Sequence, residues 1–141
     1  MSNVTIGNSK EQEVCKIFKA HHYWAHVCAK NANGSQPVDI IAIKGGTRVI
    51  AWLVDSKNVE KGKPSFSIDR IEDNQWASLE YANNFAQIDK KNLGFVIYFE
   101  RTEDFYWLPY EHAVYMKEHN IGSINLCYLK KFEEVLNEYD N

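Results

Sequence analysis

Two apolar stretches separated by a pair of glycines constrain the fold of this chain most strongly. Residues 38–44 and 48–57 each have the length of a strand, and Gly45 and Gly46 can adopt the positive φ values of a tight hairpin turn. Both stretches are apolar at nearly every position (VDIIAI and VIAWLV), so neither face of the hairpin is expected to meet water. The sequence therefore predicts a hairpin at the centre of a sheet that is covered on both sides.

The remaining pattern predicts helices and further strands around this hairpin. A first helix is expected to start at Asn8 or Ser9, either of which can cap it, and to run to about His22. The expected order is then a strand over 23–29, a loop over 30–37, the hairpin, a helix over 70–85, a second hairpin with strands at 93–99 and 105–108, and a final helix over about 130–139. This order predicts an α/β fold in which helices flank a mixed central sheet, with residues 1–141 as one domain.

Length, cysteine content and charge narrow the class of protein. A chain of 141 residues that is 45% hydrophobic can bury one core, which excludes a disordered protein. No apolar run approaches the roughly 20 residues that cross a bilayer and no signal-peptide core is present, so a soluble, cytoplasmic protein is expected. Cys15, Cys28 and Cys127 lack the spacing of a zinc site or a disulfide framework. Residues 1–101 carry 13 basic and 11 acidic side chains and residues 102–141 carry 3 and 8, so any polyanion site is expected in the first two thirds.

Carboxylates interrupt the apolar strands of the central hairpin. Asp39 is the second residue of one strand, and Asp55 and Lys57 lie at the end of the other. Because side chains alternate along a strand, Asp55 and Lys57 share a face, and pairing about the glycines brings Asp39 near Asp55. Two desolvated carboxylates this close repel each other unless a cation bridges them or one binds a proton. Their oxygen atoms suit a hard cation such as Mg²⁺, for which Mn²⁺ can substitute.

Glu11 is the candidate for a third acid. On the predicted first helix it shares a face with Cys15 and Phe18, whereas Glu13 lies on a more mixed face. The three acids are expected to bind metal and activate water, and Lys57 to orient that water or stabilise the charge that develops on a phosphate. An isolated Asp-x-Lys pair is also consistent with a solvated strand end.

This arrangement resembles the PD-(D/E)xK nuclease superfamily, whose restriction-endonuclease-like core has the element order αβββαβ. The motif reads Pro37-Val38-Asp39 on the first arm of the hairpin and Asp55-Ser56-Lys57 on the second. One extra residue separates proline from aspartate, and an aspartate stands where glutamate is commoner. Within the superfamily the chain is most similar to Holliday junction resolvases, both the archaeal cellular type and the bacterial RecU type. The similarity covers about residues 5–110, which leaves 111–141 as a C-terminal extension.

Three segments carry the similarity to the resolvases. The pattern Gly7-(x3)-Glu11-x-Glu13 is similar to the glycine and the catalytic glutamate of the archaeal first helix. Residues 55–75 (DSKNVEKGKPSFSIDRIEDNQ) resemble the RecU segment after its acidic motif, and residues 93–108 (LGFVIYFERTEDFYWL) resemble the next hairpin of both groups. The RecU type has a long insertion before its first catalytic aspartate, whereas about 17 residues lie between His22 and Asp39 here.

The resemblance implies a function and a set of site residues. It implies a Mg²⁺-dependent DNA endonuclease that acts as a homodimer, cuts four-way junctions symmetrically and leaves a 5′-phosphate. The implied site contains three metal-binding catalytic acids, the catalytic lysine and a glutamine near the scissile strand: Glu11, Asp39, Asp55, Lys57 and Gln75. Two other functions remain open, namely a restriction-like or repair nuclease acting on duplex or flap DNA, and a non-catalytic DNA-binding module on the same fold.

Polar residues around the site are candidates for binding DNA phosphates. Lys61 and Lys63 follow the catalytic lysine in a polar loop, and Lys30 and Ser35 lie in the loop before the hairpin. Each of these residues is also interpretable as ordinary solvated surface. The three histidines of the segment 21–26 lack the spacing of a metal site and are expected to pack at the end of the first helix.

Overall fold

The computed structural model of the chain describes residues 3–28, 38–46, 48–85 and 90–140. Its helices and strands, in chain order, are α1 (Asn3–Ala20), β1 (Trp24–Val27), β2 (Ile40–Lys44), β3 (Ile50–Val59), β4 (Ser65–Ser67), α2 (Asp73–Phe85), β5 (Lys90–Phe99), β6 (Asp104–Pro109), α3 (Tyr110–Glu118), β7 (Ser123–Asn125), β8 (Lys130–Lys131) and α4 (Phe132–Asn137). Short 3₁₀ turns at Ile68–Arg70 and Leu126–Tyr128 precede α2 and β8. None of the helices in these residues has the length and apolar character that spanning a membrane requires.

Six strands form one mixed sheet in the order β1-β2-β3-β5-β6-β8. Neighbouring strands are antiparallel except β3 and β5, which run parallel from Ile50 opposite Lys90 to Val59 opposite Phe99. A parallel pair needs a long crossover, and the segment that contains α2 supplies it. Strands β4 and β7 pair in a separate two-stranded sheet. The predicted mixed α/β architecture, with its αβββαβ core, is confirmed.

Helices cover both faces of the sheet, and β3 contributes to the core on each side. On one face α1 and α4 pack on the sheet, with Phe18 against Trp52 of β3. On the other face α2 and α3 contribute Leu79 and Met116 to a second core, which Leu53 of β3 also contacts. Because successive side chains of a strand point to opposite faces, a central strand covered on both sides must be apolar throughout. This burial explains the uninterrupted apolar runs of the central hairpin.

The ends of several elements differ from the sequence-based expectation. Helix α1 begins at Asn3, before the predicted cap, and α2 begins at Asp73 because residues 68–70 form a 3₁₀ turn instead. The Ser67 side chain caps that turn by accepting a hydrogen bond from the Asp69 backbone N–H at 3.3 Å. The last helix is also shorter than predicted, because Lys130 and Lys131 pair with β6 before α4 begins. The loop predicted over 30–37 lies outside the described residues.

Candidate active site

Asp39 and Asp55 meet across the β2–β3 hairpin. The antiparallel register pairs Ile40 with Val54, so the next position places Asp39 opposite Asp55. The Asp39 backbone N–H donates to Asp55 Oδ1 at 3.2 Å, and the Ser56 N–H donates to Asp39 Oδ2 at 2.8 Å. Both side chains are buried, with 6% of Asp39 and 2% of Asp55 exposed. The predicted convergence of the two strand acids is therefore present, and backbone donors fix both carboxylates.

Asp55 is the acid whose charge is least well compensated. Burial raises its pKa to about 7, and the neighbouring Asp39 carboxylate adds to the increase, against the opposing effect of Lys57. Among the described residues, Asp55 Oδ2 is buried without a hydrogen-bond partner. A buried carboxylate oxygen without a donor costs free energy unless it binds a proton or a cation. This oxygen and the adjacent Asp39 carboxylate form a donor set that fits a hard divalent cation.

Lys57 lies on the same face of β3 as Asp55, two residues further along the strand. Its Nζ donates to the Gln75 side-chain Oε1 at 2.8 Å and to the Arg70 backbone carbonyl at 3.0 Å. The same Gln75 oxygen also accepts a hydrogen bond from the Glu72 N–H at 3.0 Å, which fixes the amide at the start of α2. Burial lowers the pKa of Lys57, while the charges of Asp55 and Asp39 favour its protonated form. The ammonium group is thus held in place beside the acid pair.

Arg70 is a site residue that the sequence pattern did not single out. Its guanidinium Nη1 donates to the Asn58 carbonyl at 2.5 Å, while its own carbonyl accepts from Lys57. Arg70, at the end of the 3₁₀ turn at Ile68–Arg70, therefore contacts β3 twice, through the Lys57 side chain and the Asn58 carbonyl. Arg70 is the first residue of the helix predicted over 70–85, but a backbone carbonyl that accepts a hydrogen bond leaves no signal in a sequence.

Glu11 is buried on α1, with 5% of its surface exposed, as its helical face predicted. Its charge contributes to raising the pKa of Asp55, although burial and Asp39 contribute more. Glu13, the residue not favoured by the sequence, instead forms a surface ion pair with Lys10 at 3.3 Å. In the part of the chain that the structure describes, no three acidic, histidine or cysteine side chains are grouped as a ready-made metal site. Asp39 and Asp55 are the two acids that the hairpin brings together, and we call them the contact pair. The assignment of Glu11 as a third ligand stays a prediction.

Cys28 is a second residue near the site that the sequence pattern did not place there. Its backbone N–H donates to the Asp39 carbonyl at 2.8 Å, which extends the β1–β2 pairing up to the acids. Burial raises the pKa of the Cys28 thiol, and the charges of Asp39, Asp55 and Glu11 raise it further. The thiol is therefore kept protonated and belongs to the surroundings of the site.

The predicted phosphate-binding residues fall into two groups. Lys61 and Lys63 are exposed in the turn after β3, where their backbone N–H groups donate to Glu100 Oε2 and the Glu60 carbonyl, each at 3.0 Å. Lys30 and Ser35 lie outside the described residues. The turn thus places two lysines beyond the end of the strand that carries Asp55 and Lys57.

Comparisons with known proteins bear on the fold. No protein-family model matches the chain, and no curated protein matches it in sequence. Among solved structures, a Holliday junction resolvase from the archaeal hyperthermophile Archaeoglobus fulgidus matches with a TM-score of 0.62 and 14% sequence identity. The match covers 93% of this chain and 98% of the resolvase. The chain therefore has the fold of an archaeal Holliday junction resolvase, as the sequence motifs predicted.

Proposed function

We propose that this chain is a divalent-metal-dependent DNA endonuclease, and that its substrate is a four-way DNA junction which a homodimer cuts symmetrically. The observation that carries the proposal is the buried Asp39–Asp55 pair with Lys57 held beside it, on the fold shared with a resolvase. Symmetric cutting requires two equivalent sites, and a twofold dimer supplies them. Such a nuclease would act in the cytoplasm of a bacterial, archaeal or phage-infected cell.

Each residue of the site has a role that follows from its chemistry. Asp39 and Asp55, with Glu11 as the proposed third ligand, would hold Mg²⁺ or Mn²⁺. When bound, the metal supplies Lewis-acid stabilisation of the phosphate and lowers the pKa of a coordinated water. The Lys57 ammonium directs two of its three donors to Gln75 and Arg70. Its third donor is proposed to bind a phosphate oxygen or the attacking water.

The DNA backbone would approach across the open end of the β2–β3 hairpin, where Asp39 and Asp55 lie. Lys61 and Lys63 are exposed next to this end and are proposed to contact phosphates, as are Lys30 and Ser35 from the preceding loop. Such contacts position a nucleic acid without reading its bases, so selectivity for a junction would come from DNA shape. The excess of basic over acidic side chains in residues 1–101 is consistent with this placement.

Cleavage of labelled DNA tests the proposal directly. Four-way junction, linear duplex and flap substrates are incubated with Mg²⁺ or Mn²⁺, and symmetric nicks in the junction are expected. Lys57→Ala should slow cleavage about 100- to 1000-fold, the usual effect of losing one donor that stabilises transition-state charge. Lys16→Ala, a change of an exposed lysine on α1, should cleave like the wild type.

Other outcomes of the cleavage experiment would change the assignment. Equal cutting of duplex and junction would replace the resolvase proposal with a restriction-like nuclease. Binding of DNA without metal-dependent cleavage of any substrate would contradict the endonuclease and favour a DNA-binding module.

Metal binding can be measured without DNA. Millimolar Mn²⁺ should raise the melting temperature of the wild type by about 3–6 °C, the expected shift when the metal is near tenfold above its Kd. Asp39→Ala should abolish this shift, because it removes one carboxylate of the contact pair, whereas Asp69→Ala, a change of an exposed acid, should keep it. An equal Mn²⁺ shift in wild type and Asp39→Ala would place the bound metal elsewhere.

A further inference from the structure

The edge strand β1 carries two exposed aromatic rings on one face. Trp24 has 61% of its surface exposed, and its indole stacks on the exposed His26 imidazole with ring centroids 6.0 Å apart and planes within 13° of parallel. Between them, Ala25 points to the opposite face and is buried in the core beneath α1. The strand therefore separates an apolar inner side from an aromatic outer side.

The aromatic side of β1 is continuous with the acid pair. Trp24 pairs with Ile43 and His26 pairs with Ile41, and the hydrogen bond from Cys28 to Asp39 continues this register. Cross-strand partners share a face of a sheet, so the two rings lie on the face that carries the acids. Cys28 lies four residue steps along the chain from Trp24, a distance of about 13 Å in extended backbone, which is the length of about four stacked nucleotides.

We propose that Trp24 and His26 form a stacking platform for unpaired bases of the DNA strand that passes through the acid site. This inference rests on the proposed function, because it takes the ligand to be DNA, and it adds that bases next to the branch point of the junction are held unpaired in the complex. Every base has a flat π-face, so stacking on exposed aromatic rings binds a strand without regard to sequence. An intact duplex keeps its bases stacked internally and offers none to the platform.

A second copy of this chain is a weaker candidate for covering the platform. The exposed apolar surface of Trp24 and its neighbour Ile43 is on the order of 250 Å². A stable protein–protein interface takes about 800 Å² from each partner. A single base, in contrast, fits a surface of this size.

Equilibrium binding in EDTA tests the platform separately from catalysis. The probes are a fluorescein-labelled duplex, the same duplex with an unpaired three-nucleotide bulge, and a four-way junction, measured by fluorescence anisotropy. Trp24→Ala should weaken binding of the bulged duplex about 5- to 150-fold, the range for loss of one base–aromatic stack, and leave binding of the plain duplex within about twofold. Trp24→Phe should retain most of the affinity, and His26→Ala should reproduce part of the loss.

Tyr115 and His119 provide a matched control. They form another exposed stack of an aromatic ring on a histidine, at 4.0 Å between ring centroids. Tyr115 lies on α3 and His119 directly follows that helix, so neither belongs to β1. Tyr115→Ala should therefore leave binding of all three probes unchanged.

The outcomes separate this inference from the proposed function. If Trp24→Ala binds bulged DNA as the wild type does and keeps metal-dependent cleavage, the stacking platform would be overturned and the endonuclease proposal would be retained. Loss of the same binding in a protein that cleaves nothing would support the platform and contradict the nuclease. A change in sedimentation of Trp24→Ala without a change in DNA affinity would identify the surface as an interface between copies and overturn the platform.

Discussion

Asp55→Asn is expected to abolish DNA cleavage and, at the same time, to make the protein more stable at neutral and alkaline pH. The activity should fall at least about 1000-fold, because the variant loses a negative charge that binding of the proposed metal ion requires. The stability should rise, because an amide removes a buried charge whose Oδ2 atom has no hydrogen-bond partner among the described residues. The remaining amide oxygen can still accept the hydrogen bond from the Asp39 N–H.

The stabilising effect should depend on pH in a defined direction. The folded-state pKa of about 7 lies above the ordinary value of 3.8, so the folded protein holds a proton on Asp55 that the unfolded chain releases. The stability linked to this proton is present at low pH and is lost as the pH rises from about 4 to 7. Asp55→Asn removes this dependence, so its advantage in unfolding free energy should be about 2 kcal/mol larger at pH 8 than at pH 5.

Urea unfolding of wild type and Asp55→Asn at both pH values, in EDTA, measures this difference. Asp69→Asn serves as the control, since this exposed carboxylate should show no comparable change between pH 5 and pH 8. A variant equally or less stable than wild type at pH 8 would contradict the buried-charge description of Asp55. Retained cleavage by the variant would contradict its role in the site.

The central hairpin and its acids could be predicted because the signals are local. The two-residue period of a strand and the positions of the acids predict that Asp39 and Asp55 lie on one face of the hairpin. Their pairing differs from a tight Gly-Gly turn, because five residues separate Lys44 from its partner Ile50, whereas a two-residue turn at the glycines would pair Asp39 with Trp52. The helical period of three to four residues likewise placed Glu11 on the buried face of α1. These inferences need only the regular geometry of a strand or a helix.

Features that depend on contacts distant in sequence could not be predicted. Strands β4 and β7 have three residues each, and they pair only because the fold buries Phe66 and Ile124 together. Helix α3 has two buried residues, Ala113 and Met116, and exposes Tyr115, so its amphipathic pattern is weak. The Arg70 carbonyl became a partner of Lys57 through a 3₁₀ turn, and a backbone group has no sequence signature. Burial, which sets the raised pKa of Asp55, is also a property of the whole fold.

Gly94 of β5 connects the packing of the sheet to the position of the acids. It pairs with Pro109 of β6 and with Val54 of β3, immediately before Phe95, which lies opposite Asp55. Its φ of +155° is a conformation that residues with a side chain rarely adopt. A Cβ at this position would lie 2.3 Å from the Leu108 carbonyl oxygen and 2.9 Å from the Tyr110 nitrogen. Both contacts are with backbone, so no side-chain rotation can relieve them.

Gly94→Ala should therefore destabilise the fold by more than about 3 kcal/mol, combining backbone strain with a steric clash in a packed sheet. Relief of the clash requires β5 to shift relative to β6, and because β3 pairs with β5, the acid site should be displaced and cleavage lost. Gly62→Ala is the matched control, since a Cβ there meets nothing within 4 Å, and it should unfold in urea like the wild type. Equal unfolding midpoints for the two variants would contradict the close approach of Gly94 to the Leu108 backbone, since a methyl group at position 94 would then fit between β5 and β6.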